Sequence, residues 1–473
     1  MQENFNPNNI ILAIDIGSSK IHTLIAERTA GAPRLMGWGV CESQGVQKGI
    51  ITNIEQVSAD LQIALEKATN MAGVKAKKAT VSISGAYVEY TKTSAVVNIA
   101  AERGEIQLKD IERLMKNCVY NARLERNYIA IHVLPYKFVV KDYNVPIEDP
   151  LSMNAENMEC FAYVVMAKRA VVETLKKVLT NCEIEVEDIV LSSYASSIAA
   201  LTPEERRQGV VCIDMGAQTC DMMMYSGASM CYGNYFPVGS AHITSDIAQV
   251  LGVTREVAEK LKVEYVDMIV QEGDAQRGLN ISRKDAENKL IPVTTLHKIA
   301  EARVRETFEV LGDIIERSEM RDQIGGGLVI TGGMTKLKNL EQYLHQENIM
   351  HPLPVRIGTP AGIDGAFDIL KDLEMATAVG LVLYAAGHFT NYELTMQNTI
   401  KVRKNHGVQK AASNLPAYNN HQEGNVQDLQ IKKQVLPPRA KQKTQSADVE
   451  ADHTEAGGDN PIRRFWRWLS QLF

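Results

Sequence analysis

Apolar and polar positions follow the same order in two separated stretches of this chain. Ile10–Ile21 (IILAIDIGSSKI) is an apolar run that reaches Asp15, a turn of glycine and serines, and the start of a second apolar run. Val210–Tyr225 (VVCIDMGAQTCDMMMY) repeats this order around Asp214. Each stretch predicts a buried strand, a tight turn and a returning strand. A unit that recurs about two hundred residues later predicts two similar halves that face each other.

The pattern between these stretches changes near residue 86. Ile54–Ala72 has apolar residues at helical spacing, as expected after strands in an α/β protein. Residues 86–165 instead contain long strand-like runs around one predicted helix, Gln107–Asn121. They predict a small α+β unit inserted into the first half. Helical spacing returns later, most clearly over Leu296–Ile315.

A change of composition near Thr390 marks the end of the predicted folded body. Residues 390–459 are rich in Asn, Gln, Lys and Pro and contain few large apolar side chains. Such a segment buries too little surface to offset the entropy lost on ordering. We therefore predict a disordered linker.

The final segment, residues 460–473, ends in PIRRFWRWLSQLF. At helical spacing its apolar side chains fall on one face and its arginines on the other. The residues predicted to meet a membrane are Ile462, Arg463, Arg464, Phe465, Trp466, Arg467, Trp468, Leu469, Leu472 and Phe473. This composition favours an amphipathic helix in the membrane interface; docking of the helix onto the folded body is the alternative.

Composition and charge narrow the class of protein. The chain has 473 residues, 45% of them hydrophobic, which is enough for the cores of two or more domains. A net charge of −6 gives no indication of nucleic-acid binding. Residues 390–473 carry 12 Lys/Arg and 8 Asp/Glu, and a basic tail on an acidic body predicts contact with an anionic surface. The seven cysteines form no C-x-x-C pair, which favours reduced core residues in the cytoplasm.

The chemistry of the two turns predicts a phosphate site. Backbone N–H groups and the hydroxyl of Thr219 can surround an anion, and the carboxylates Asp15 and Asp214 can hold a magnesium ion, usually through water. For a single turn, an ordinary Asp-x-Gly reversal is the alternative. Two facing turns can grip a polyphosphate from both sides.

A third stretch, Gly327–Leu340 (GLVITGGMTKLKNL), predicts a strand, a Gly332-Gly333 turn and the start of a helix. Glycines there allow a flat ligand to approach the backbone closely. An ordinary strand-to-helix turn is the alternative interpretation of this stretch alone.

Together these three motifs resemble the actin-like ATPase superfamily, which has a ribonuclease H-like α/β fold of two domains. The resemblance implies ATP and Mg²⁺ as cofactors and makes Tyr194–Leu201 and Met375–Ala385 the two connecting helices. Asp15 and Asp214 then serve the metal. The implied phosphate contacts are Gly17, Ser18, Ser19, Lys20, Gly216, Ala217, Gln218 and Thr219, and the implied base and ribose contacts are Glu259, Lys262, Gly332, Gly333 and Met334.

The position of the insert resembles the FtsA family of cell-division proteins rather than actin or the shape protein MreB. The resemblance implies that the first half consists of subdomain 1A at 10–85 and 166–205, with insert 1C at 86–165 between them. The second half consists of subdomain 2A at 206–238, subdomain 2B at 239–324, and residues 325–389, which complete 2A and return to 1A. The linker follows at 390–459 and the terminal helix at 460–473.

The same resemblance implies a function at the cytoplasmic face of the cell membrane. FtsA proteins tether the tubulin-like protein FtsZ at the division septum, assemble into actin-like filaments and meet other division proteins. Arg303 matches the family's contact to the FtsZ C-terminal peptide; a solvated helix charge is the alternative. A pilus-assembly adaptor similar to PilM and a sugar kinase of the same superfold are the rival functions, although no sugar pocket is evident.

Two departures from the family pattern indicate slow or negligible ATP hydrolysis. The second turn is Gly216-Ala217-Gln218-Thr219, where the family commonly has three glycines before the threonine. Ser192 occupies the position at which strongly hydrolysing relatives carry a Glu or Gln that orients water. A short hydroxyl is a poor substitute for those groups. No catalytic residue is assigned.

Overall fold

The computed structural model describes residues 9–100, 104–141, 143, 145–227, 229–281 and 289–403. Most of the predicted linker and all of the predicted terminal helix, with every predicted membrane residue, lie outside the described residues. Among the described helices, none is both long and apolar enough to cross a membrane.

The first half carries strands on both sides of the insert. It begins with β1 (Ile10–Ile16), β2 (Lys20–Glu27), β3 (Arg34–Glu42), β4 (Val46–Gln47), β5 (Ile50–Ile51), α1 (Ile54–Ala72) and β6 (Lys78–Ile83). The insert contains β7 (Val88–Asn98), α2 (Leu108–Asn121), β8 (Tyr128–Val140) and β9 (Asn157–Lys168). The chain then continues through α3 (Arg169–Asn181), β10 (Glu185–Leu191), α4 (Ser192–Ala200) and α5 (Pro203–Gln208).

The second half follows the same plan with larger additions. Its elements are β11 (Val210–Met215), β12 (Cys220–Ser226), β13 (Ser229–Phe236), α6 (Ser240–Leu251), α7 (Arg255–Tyr265), β14 (Gly278–Ile281), β15 (Lys289–Pro292), α8 (Val293–Arg317), β16 (Leu328–Thr331), α9 (Leu340–Gln346) and β17 (Val355–Ile357). The described chain ends with α10 (Ala376–Ala385), β18 (Tyr392–Thr395) and β19 (Ile400–Val402).

The repeated sequence pattern is repeated in the topology of two five-stranded sheets. The first has the order β10-β6-β1-β2-β3 and the second β13-β12-β11-β16-β17. In each sheet the middle strand pairs antiparallel with the strand that follows it and parallel with a later one, β6 or β16. The Asp-containing strands β1 and β11 are therefore buried at equivalent places in both halves.

Helix α1 shows how local sequence defines these elements. It spans the predicted residues, begins where the side chain of Asn53 accepts a hydrogen bond from the Gln56 backbone N–H, and ends at the left-handed Gly73. Its buried face includes Val57, Leu61, Ala64, Leu65 and Ala68, one side of the helix.

The predicted start of the linker at residue 390 is wrong. Strands β18 and β19 complete a third sheet, β19-β18-β8-β9-β7, which is the sheet of the insert. Tyr392 and Leu394 alternate into its core with 2% and 1% exposure. The apolar pattern over four residues is too short to outweigh the polar composition around it, and the pairing partner β8 lies more than two hundred residues earlier.

A buried hydrogen-bond network fixes this last part of the chain to the body. Glu393 accepts hydrogen bonds from His132 Nδ1 (2.6 Å), Tyr384 (2.7 Å) and Tyr194 (3.3 Å). The other ring nitrogen of His132 accepts from the Leu191 backbone N–H (3.1 Å), so Nδ1 carries the proton. Because Tyr194 and Tyr384 lie on α4 and α10, one carboxylate joins the insert, both helices and the final strands.

Helices α4 and α10 correspond to the two predicted connecting helices, and their backbones approach closely. Gly380 on α10 faces Ala195 on α4, and a β-carbon at Gly380 would lie 1.8 Å from the Ala195 carbonyl oxygen. Only a residue without a side chain fits at this crossing.

Gly380→Ala is expected to lower the free energy of unfolding by about 1 to 3 kcal/mol through overpacking. The direction of this change is informative, because alanine by itself stabilises a helix by about 1 kcal/mol relative to glycine. A loss of stability therefore points to the close crossing. Urea or thermal unfolding measures the change. Gly31→Ala is the matched control, since its β-carbon would meet open space. A Gly380→Ala protein as stable as wild type would contradict the close crossing.

Candidate functional site

The two predicted turns are closed in the same way and line one cavity. The Gly17 backbone N–H donates to the Lys20 carbonyl (3.0 Å), and the Gly216 N–H donates to that of Thr219 (2.8 Å). The cavity has a volume of about 500 Å³. Its lining includes Asp15, Gly17, Ser18, Ser19, Lys20, Asp214, Gly216, Ala217, Thr219, Glu259, Lys262, Gly332, Gly333 and Met334.

Two predicted site residues lie elsewhere. Gln218 is not part of the lining; its side-chain oxygen accepts a hydrogen bond from the Lys48 backbone N–H (2.7 Å) and so joins the second turn to the β4–β5 loop. That loop also reaches the first turn, because the Gly49 N–H donates to Ser18 Oγ (2.9 Å). Gln218 therefore supports the turns rather than facing the cavity.

Arg303 on α8 forms ion pairs with two carboxylates outside the cavity, and these ion pairs are largely shielded from solvent. Its guanidinium donates to both oxygens of Asp246 (2.7 and 2.8 Å) and to Glu306 (2.5 Å). The side chain is 13% exposed, so the alternative of a solvated helix charge is wrong. Arg303 joins α8 to α6.

Three carboxylates face one another in the deep part of the cavity. Asp15 accepts a hydrogen bond from Ser82 (2.8 Å) and Asp214 from Thr377 (2.7 Å). Burial, with the charge of Asp15 nearby, raises the pKa of Asp214 to about 6. Burial and the charge of Asp214 raise the pKa of Asp221 to about 7. Among the described residues, the ion pairs of the cavity lysines are with other acids, so this part of the cavity is short of positive charge.

The lysines around the cavity do not supply that charge, because each already has an acidic partner among the described residues. The pairs are Lys20–Glu374 (2.5 Å), Lys262–Glu259 (2.8 Å), Lys336–Asp372 (3.1 Å) and Lys338–Asp267 (2.7 Å). Glu374 also contacts Lys336 (3.2 Å), so it bridges Lys20 of the first half and Lys336 of the second. The carboxylates thus fit a divalent cation, whose preferred ligands are oxygens.

The Gly332-Gly333 turn packs directly against the carboxylate of Asp214. Gly332 has a φ of +91°, and a β-carbon there would lie 2.3 Å from Asp214 Oδ1. Both the left-handed backbone and the close approach require glycine. The interpretation of Gly332-Gly333 as an ordinary turn therefore leaves out its contact with the cation-site carboxylate Asp214.

Glu259 and Lys262 form the wall of the cavity on α7. Glu259 accepts hydrogen bonds from Lys262 (2.8 Å) and from Thr244 (2.5 Å), and Lys262 also donates to Thr244 (3.0 Å). Burial opposes the charge of Glu259, but these hydrogen bonds hold its pKa below the ordinary value. The pair is fixed in place and presents polar groups to the cavity.

Sequence reasoning missed several residues that line the cavity. They include His22, Asp221, Lys336, Glu374 and Thr377. A signal for two of them was available: the residue seven places after each aspartate faces it across the hairpin, which pairs Asp15 with His22 and Asp214 with Asp221. Lys336 lies within the third predicted stretch, Gly327–Leu340, whereas Glu374 and Thr377 lie outside all three motifs and carry no local signal.

Comparison with known families identifies two parts of the chain. A model described as cell division protein FtsA matches residues 211–380, and one described as the SHS2 domain inserted in FtsA matches residues 85–166. The FtsA of Helicobacter pylori strain J99 is 31% identical over 456 residues, covering 89% of this chain and 91% of the relative. FtsA of Escherichia coli K12 is 24% identical, covering 83% of this chain and 94% of the relative.

Solved structures share the fold. The chain of a PilM–PilN type IV pilus biogenesis complex superposes with a TM-score of 0.57 at 14% identity, covering 80% of this chain and 98% of its own length. MreB5 of Spiroplasma citri bound to ADP gives 0.50 at 13% identity, covering 80% and 97%. These likenesses confirm the predicted actin-like α/β fold and, at such identities, show the fold alone. The sequence relatives go further, and the chain belongs to the FtsA family of cell division proteins.

Proposed function

We propose that this protein binds ATP with magnesium and tethers FtsZ filaments to the cytoplasmic face of the cell membrane at the division septum, where it helps to assemble the divisome. The observation that carries the proposal is the single cavity in which the turns at Asp15 and Asp214 face each other. The rival pilus adaptor is supported only by the shared fold.

The cavity offers groups for the phosphates of a nucleotide and for its cation. The two turns offer backbone N–H groups and hydroxyls to the phosphates, and Asp15 and Asp214 offer oxygens to the cation. Bound magnesium would neutralise phosphate charge and hold the two halves to one ligand. An actin-like neighbour was solved with ADP. Ser192 donates to the Ile83 carbonyl (3.0 Å), so its hydroxyl is already engaged, which favours slow turnover.

Asp214→Asn tests the cation site. The amide keeps an oxygen for Thr377 and removes the charge, so the fold is expected to remain while magnesium-dependent ATP affinity falls about tenfold or more. Titration with a fluorescent ATP analogue measures the affinity. Glu173→Gln, an exposed carboxylate on α3, is the control. Equal affinity of Asp214→Asn and wild type would remove Asp214 from the site.

Arg303 is the proposed contact for the acidic C-terminal peptide of FtsZ, and its ion pairs demand a particular test. Arg303→Glu alone places three carboxylates together, because Asp246 and Glu306 both contact Arg303, and disturbs α6 and α8. The exchange Arg303→Glu with Asp246→Arg restores opposite charges. We expect the exchanged protein to regain stability but to bind the peptide about tenfold more weakly or worse, because the charge offered to the peptide is reversed. Calorimetric titration of the exchanged protein decides: wild-type affinity excludes Arg303 from the peptide site.

Membrane attachment is proposed for the predicted helix at 460–473. Thirteen helical residues span about 20 Å at roughly 1.5 Å per residue, too short for a core of about 30 Å, so the helix would lie in the interface. Three arginines should add about 1 kcal/mol each on an anionic leaflet. Such binding is reversible, and assembly into actin-like filaments would strengthen it through avidity.

Flotation with anionic vesicles tests this proposal. Phe465→Glu with Trp466→Glu places charge on the apolar face and should abolish flotation. Ser470→Glu with Gln471→Glu changes the net charge equally but on the polar face, and should retain most binding. The proposal fails if both double variants float alike, or if a protein lacking residues 460–473 still floats.

A further inference from the structure

The two aspartates proposed to serve the metal, Asp15 and Asp214, differ in the residue that lies seven places after each of them. In the second half it is Asp221, whose carboxylate accepts a hydrogen bond from the Gly85 N–H (2.7 Å). In the first half it is His22, paired directly with Asp15 across the hairpin. Opposite residues in a hairpin project from the same face of the sheet. His22 therefore points, with Asp15, into the cavity that both line.

His22 is buried yet its ring is not fully bonded. The residue is 6% exposed, and Nδ1 has no hydrogen-bond partner among the described residues. The nearest acidic atom, Asp15 Oδ2, lies 3.7 Å away, beyond hydrogen-bond distance. Buried polar atoms in folded proteins nearly always have a partner. The cavity is the place from which a partner can come.

The surroundings of His22 define that partner. Asp15 Oδ2 and His22 Nδ1 are adjacent, and a carboxylate only accepts hydrogen bonds. With its ring proton on Nε2, His22 also presents an acceptor, at Nδ1, and two acceptors side by side fit a water molecule that donates both hydrogens. A water molecule bound to a metal ion donates both of its hydrogens in this way, because its lone pair is directed to the metal.

We propose that His22 is a positioning residue of the cation site, whose Nδ1 accepts a hydrogen bond from a water molecule on the magnesium ion. The inference rests on the proposed binding of Mg-ATP and deepens it. Asp15 and Asp214 supply the charge that holds the hydrated ion, and His22 fixes the orientation of one of its waters. A neutral imidazole does so without adding a further negative charge to the carboxylate cluster.

Nucleotide binding with and without magnesium tests the role. His22→Leu removes the acceptor, whereas His22→Asn keeps an oxygen near the position of Nδ1. Affinity for a fluorescent ATP analogue is measured at saturating Mg²⁺ and in EDTA. In His22→Leu we expect the gain in affinity due to Mg²⁺ to shrink about tenfold, as for other groups that orient metal ligands. In His22→Asn most of that gain should remain. Affinity in EDTA should be equal in all three proteins.

The outcomes separate the inference from the proposed function. An unchanged Mg²⁺ effect in His22→Leu, or an equal loss with Mg²⁺ and with EDTA, overturns the role of His22 and leaves ATP binding in place. No nucleotide binding by wild type overturns both. If His22→Leu does not fold, His22→Gln replaces it, because this longer side chain moves the amide away from the Nδ1 position and should show the same loss.

Discussion

Repulsion between buried carboxylates is the constraint to which the whole cleft responds. Asp15 and Asp214 come from the central strands of opposite halves, and Asp221 adds a third charge. In a low-dielectric cleft such charges repel strongly. The hydroxyls of Ser82 and Thr377 satisfy single oxygens but bring no charge. The two halves can therefore meet closely at this point only with a positive ion between them or with a carboxylate protonated.

The remaining charged groups of the cavity do not neutralise these three carboxylates. The cavity lysines pair with acids of their own. Glu374 pairs with lysines from both halves, so these ion pairs join the halves without neutralising Asp15, Asp214 or Asp221. Such a division of charge favours a ligand that brings its own cation.

Whether a feature could be predicted from the sequence depends on how far apart its interacting residues lie along the chain. The turns at Asp15 and Asp214 were predictable because strand, turn and carboxylate lie within a dozen residues. His22 was equally local and needed only the hairpin register. Gln218 lies in a predicted turn but faces the β4–β5 loop, a contact across 170 residues. The same holds for Glu393, whose partner His132 lies 261 residues earlier, and for this reason the local sequence predicts a linker where β18 and β19 lie.

The attachment of the last described strand, β19, has a mechanical consequence. Among the described strands, β19 pairs with β18 alone and forms the edge of the sheet, so few backbone hydrogen bonds hold it in place. Lys401 adds side-chain contacts: its ammonium contacts Asp188 (2.7 Å) and lies 4.4 Å from the centre of the Tyr384 ring. Tyr384 is on α10, the helix that also carries Thr377. A displacement of β19 would thus act on the helix whose Thr377 holds Asp214, so the edge of the insert sheet and the cation site share one support.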